Sequence, residues 1–106
     1  MTKMPKMKAE KRDELLEICK KSSGEYLPSH HGKGSWATTY SRQFISAATD
    51  LWLLYKEAGS NWPVADLSRD FRRKNIRSCR GADMSFARVE YLLKSHIGAE
   101  IERREL

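Results

Sequence analysis

Apolar positions along this chain recur at steps of three and four. At no point do Val, Ile, Thr and aromatic residues alternate with polar ones over five or more positions. The first spacing stacks side chains on one face of a helix, whereas the second would mark a half-buried strand. The pattern predicts an all-α fold of about four helices. A first helix runs from about Lys8 to Ser22, with Leu15, Leu16, Ile18 and Cys19 as a narrow apolar face and Gly24 as its stop. A second runs from an N-cap at Ser35 to Gly59. Trp36, Tyr40, Phe44, Ala47, Ala48, Leu51, Leu54 and Tyr55 share one of its faces. Trp52 and Leu53 widen that face, so this aromatic-rich helix is expected at the centre, with the others packed around it.

A third helix is predicted from Pro63, a residue favoured in the first turn, to about Asn75. Val64, Leu67 and Phe71 form its buried side, and Asp66, Arg69, Asp70 and Arg73 lie opposite. Ile76 to Asp83 reads as a connection of about eight positions. Ser85 then offers an N-cap for a fourth helix, and Met84 and Val89 a hydrophobic staple across it. Phe86, Val89, Leu93 and Ile97 make the stripe of that helix. Gly98 either ends it or lies within a continuation through Ile101.

With 106 residues the chain fits a single helical domain, large enough to bury a core without disulfides or metal, with residues 1–8 as a flexible basic arm. The longest apolar run, Leu51 to Tyr55, is far below a membrane span, and the lysine-rich opening from Met1 to Arg12 does not resemble a secretion signal. Cys19 and Cys79 match no metal or redox spacing and read as reduced thiols. These features together predict a soluble, cytoplasmic protein with no membrane partner.

The net charge of +6 is unevenly spread. Residues 60–81 hold six Lys/Arg against two acids, and residues 1–24 hold seven against four. Clustered excess charge creates a local positive field, and polyanions are its natural partners. The cluster consists of Arg69, Arg72, Arg73, Lys74, Arg77 and Arg80, with Lys3, Lys6, Lys8, Lys11 and Arg12 in the amino-terminal arm.

Other chemistry finds less support. His30 and His31 are adjacent and point apart on an extended chain, a poor pair for one metal ion. Gly32-Lys33-Gly34-Ser35 is a fragment of a phosphate-binding loop without its first glycine or preceding strand. No cysteine or serine is flanked by a nucleophile motif, and Asp66 and Asp70 lie one turn apart among arginines that suit them as ion-pair partners. An enzyme is not expected, nor a cofactor or metal.

The stretch from Pro63 to Ile97 has the outline of a helix-turn-helix reader: a short helix, a connection, and a second helix with polar residues near its start. The likeness covers about a third of the chain and rests on layout. The connection is longer than the usual turn of three or four residues. In that layout Ser85, Arg88, Tyr91, Lys94 and Ser95 are the exposed residues of the second helix. Arg88 suits guanine, because its fork matches O6 and N7. The expected function is therefore non-catalytic binding of nucleic acid, chiefly duplex DNA, as a small regulator or accessory factor. Arg69, Arg72, Arg73, Lys74, Arg77, Arg80 and Lys94 would form the grip and Arg88 the base contact. The alternative is an adaptor or inhibitor docking on an acidic protein surface or a nucleoprotein complex, a task arginine also suits. No aromatic strand motif of a common RNA-binding module is present.

Overall fold

The computed structural model describes residues 6–22, 40–79 and 81–104, and among them every regular element is a helix. Helix α1 spans Lys6–Ser22, α2 Arg42–Glu57, α3 Pro63–Arg73, α4 Phe86–Leu92 and α5 Gly98–Arg104. A π-helical turn, Leu93–Ile97, joins α4 to α5 with helical backbone on both sides, so residues 86–104 form one interrupted rod. The expected caps and stops at Gly24 and Ser35, the Trp36 position, the His30–His31 pair, the Gly32–Ser35 loop, Arg80 and residues 1–5 of the basic arm lie outside the described residues.

Helix α2 is the hub: α1, α3, the π-turn and α5 all pack against it. Its buried residues are Phe44, Ala47, Ala48, Thr49, Leu51, Leu54 and Tyr55. They join Leu15, Leu16 and Cys19 of α1, Val64, Leu67 and Phe71 of α3, and Val89, Leu92 and Ile97 of the rod in one continuous core. Phe44 lies between two rings, stacked on Tyr40 at 4.8 Å and tilted against Phe71 at 5.8 Å. Two of the hydroxyls carried inside are satisfied within their own helices: Thr49 Oγ1 donates to the Ile45 carbonyl at 2.7 Å and Ser22 Oγ to the Ile18 carbonyl at 2.7 Å.

Three details differ from the sequence expectation. The α2 N-cap is Ser41, whose hydroxyl accepts the Phe44 N–H, so Tyr40 precedes the helix yet is still buried against it. Serine recurs through this region, and only the position of the first helical turn selects which one caps. Asp70 is buried, not exposed, because it lies where α3 meets α2 and finds Tyr55 there. In the rod, Leu92 is fully buried and Leu93 only partly. The π-turn accounts for this: it inserts one residue into the repeat, shifting which positions face inward. Gly98 donates its N–H to the Leu93 carbonyl, and a Cβ at that position would lie 3.2 Å from the same oxygen. Gly98 therefore sits inside a continuation, which runs past Ile101 to Arg104.

Candidate nucleic-acid interface

The connection between α3 and α4 determines where the cations lie. Lys74 closes α3, and Asn75 adopts left-handed backbone at φ 56°, a conformation asparagine tolerates better than most residues. Ile76 then turns inward and is buried, with its N–H donating to the Phe71 carbonyl at 2.8 Å. A tight loop closes where the Ser78 N–H donates to the Ala82 carbonyl at 2.8 Å, with Gly81 at φ 80°. Met84 is buried in turn, and its carbonyl accepts the Ser68 hydroxyl at 2.8 Å. The connection thus folds back along α3, anchored by Ile76 and Met84. It delivers Ser85, whose hydroxyl accepts the Arg88 N–H at 3.3 Å as the expected cap of α4. Met84 and Val89, the expected staple, are both buried in the core.

The cations fall into two groups. Arg69 and Arg73 are tied to acids. Arg69 reaches Asp66 at 3.0 Å and Asp70 at 3.3 Å, and Arg73 reaches Asp70 at 3.3 Å. Asp70 is only 1% exposed, and its second oxygen accepts the Tyr55 hydroxyl. Burial first, and then that hydrogen bond, push the Tyr55 hydroxyl pKa far above its ordinary value. Asp66 also accepts the Ser60 hydroxyl. Arg77 is held as well, by the Asp83 carboxylate at 3.0 Å and the Asn75 side chain at 3.1 Å.

Among the described residues Arg72, Lys74, Arg88 and Lys94 form the second group, exposed and without a carboxylate partner. Arg72 Nε donates to the Ser68 carbonyl at 3.4 Å, and Arg88 Nη1 to the Asp83 carbonyl at 3.3 Å. Arg77 and Arg88 therefore converge on Asp83, one through its side chain and the other through its backbone. Arg88, Tyr91 and Lys94 follow one another at steps of three along the outward side of the rod, where Ser95 is also exposed.

Two large apolar side chains stand exposed among the described residues, Tyr91 at 67% and Trp62 at 63%. Trp62 precedes α3 and meets the Phe86 ring edge-on at 5.2 Å. The sequence reading did not single out Trp62; its place just before Pro63, off the apolar stripe, was the available signal.

Among the described residues no group of three or more His, Cys, Asp or Glu side chains could hold a metal ion. Burial pushes the Cys19 thiol pKa up, which keeps it un-ionised. Burial, and then Cys79, raise the Tyr40 hydroxyl to about 12. His96 sits in the π-turn with its ring edge-on to Tyr40 at 5.5 Å, and burial lowers its pKa. At the far end of the rod Arg104 reaches Asp50 at 2.7 Å, Ser46 Oγ at 2.9 Å and Glu100 at 2.8 Å, fastening α5 to α2.

No protein-family model, curated protein or solved structure matches this chain. No helix among the described residues is long and apolar enough to cross a membrane.

Proposed function

We propose that this chain is a non-catalytic nucleic-acid-binding protein, a cytoplasmic regulator or accessory factor acting on duplex DNA. One observation carries the reading. Arg72, Lys74, Arg88 and Lys94 remain exposed and unneutralised, in a protein of net charge +6. Cations without an acidic partner are the ones that gain most from a phosphate, because binding releases counterions and breaks no existing ion pair. Arg69, Arg73 and Arg77 join the grip at the cost of sharing their carboxylates, and Arg88, near the start of α4, has the reach for a base edge. The long connection sets this pair of helices apart from a standard helix-turn-helix, so the layout adds little and the charge carries the reading.

The test is a titration of random-sequence duplex DNA followed by fluorescence anisotropy at several salt concentrations. Arg72, Lys74 and Lys94, with a partial share from Arg69, Arg73 and Arg77, give about four phosphate contacts and predict a log–log salt slope of about −4. Replacing Arg72 and Lys74 by alanine should weaken binding to every sequence alike and flatten the slope by about two. Arg88→Ala should instead cost affinity on a preferred site, by about 1–3 kcal/mol, with little loss on random DNA. Absence of binding even in dilute buffer would remove the reading. The adaptor reading would then take its place, supported by the exposed Trp62 against Phe86, since tryptophan and arginine are enriched at interface hot spots.

A further inference from the structure

Tyr91 has no evident role in holding the fold. Its ring is 67% exposed, on the outward side of α4, and no ring contact is made by it among the described residues. Trp62, by contrast, rests against Phe86. Arg88 lies one turn before Tyr91 and Lys94 one turn after it, both exposed, and neither has a carboxylate partner. Glu90 is the one exposed acid of α4 and occupies the neighbouring row.

An open aromatic face with a cation near it on either side offers a nucleic acid charge to hold its strand and a surface on which a base can stack. In an intact duplex both faces of every base are already covered by neighbouring bases, and Tyr91 would meet only edges. An unpaired base has a free face, and taking it out of the stack costs least where it has no partner. We infer, resting on the nucleic-acid reading above, that Tyr91 is a base-stacking residue and that the preferred ligand is a duplex carrying an unpaired base. Lys94 holds a phosphate beside that base, Arg88 reaches a neighbouring base edge, and the tyrosine ring covers the unpaired base.

The experiment compares two labelled probes by anisotropy at one salt concentration: an intact duplex and the same duplex with one unpaired thymine. The wild-type chain, Tyr91→Ala and Tyr91→Phe are each titrated. Stacking of one base predicts that wild type favours the unpaired-base probe by about five- to a hundredfold. Tyr91→Phe should keep that preference. Tyr91→Ala should lose it while binding the intact duplex as wild type does, with the same salt slope. Equal affinity of wild type for the two probes, or a preference that survives Tyr91→Ala, overturns the stacking role and leaves the phosphate grip standing. Binding to neither probe overturns both. Because Tyr91 lies outside the core, unchanged helical circular dichroism in each variant separates a lost contact from a lost fold.

Discussion

Replacing Tyr55 by phenylalanine removes one oxygen atom and no carbon, so the core keeps its shape and no cavity opens. What is lost is the hydrogen bond to Asp70, donated at 2.5 Å inside the protein. The two arginines nearest Asp70 both approach its Oδ1, Arg69 at 3.3 Å and Arg73 at 3.3 Å, whereas Oδ2 accepts from Tyr55. Loss of the hydroxyl therefore strands Oδ2 in a carboxylate that is 1% exposed. A hydrogen bond to a charged group contributes about 1.5–3 kcal/mol, and an unsatisfied buried acceptor falls in the same range. Tyr55→Phe is expected to lower the unfolding free energy by about 2 kcal/mol, a large share of the roughly 5–15 kcal/mol that a domain has. Urea denaturation followed by circular dichroism reads this as a lower midpoint at unchanged slope. The cycle with Asp70→Ala, which removes the acceptor, reports the coupling of the pair, and it should lie between about 0.5 and 3 kcal/mol. A loss below about 0.5 kcal/mol, or effects that simply add, would mean that Asp70 is not held by Tyr55 and that water or another group satisfies it.

Leu51→Ala, on the fully buried side of α2, should cost about 2–5 kcal/mol in the same assay. Arg73→Ala should stay within about 1 kcal/mol, because its guanidinium is half exposed and Arg69 remains on the same Asp70 oxygen; equal losses would show that the helix faces are misassigned. The hydrogen bond from Arg103, opposed by burial and reinforced by Arg104, holds the Glu100 carboxyl at about 2, below its ordinary 4.5. A lowered carboxyl stabilises the fold above its unfolded value, and that contribution disappears as pH falls from about 4.5 towards 2. Thermal melts across this window should fall more steeply for the native chain than for Glu100→Gln, and parallel curves would exclude Glu100 from acid unfolding. Neither Cys19 nor Cys79 is joined in a disulfide among the described residues, so a reducing agent should leave the melting temperature unchanged; a drop would reveal a disulfide.

What the sequence determined by itself is what depends on local periodicity and chemistry. The three-and-four spacing of Leu51, Leu54 and Tyr55, or of Val64, Leu67 and Phe71, defines a helix face wherever the helix later docks, and all six residues are buried. Ser85 was legible as a cap, and Pro63 as a first-turn residue, because each acts on backbone within one turn. The excess of cations between Arg69 and Arg80 was equally visible in the chain. Tertiary structure alone decided which of those cations are left unpaired. Asp70 belongs to the polar side of α3 by spacing, yet it is drawn inward by a tyrosine fifteen positions away in sequence, and it takes Arg69 and Arg73 with it. Arg77 is captured by Asp83 only because the buried Ile76 and Met84 fold the connection back along α3. Likewise the π-turn that replaces Leu93 by Leu92 in the core gives no sign in a 3.6-residue pattern, since one inserted residue satisfies the same hydrophobicity in a shifted register. Periodicity records which face a residue lies on, whereas pairing depends on what another element places opposite it, and that is fixed only when the helices pack.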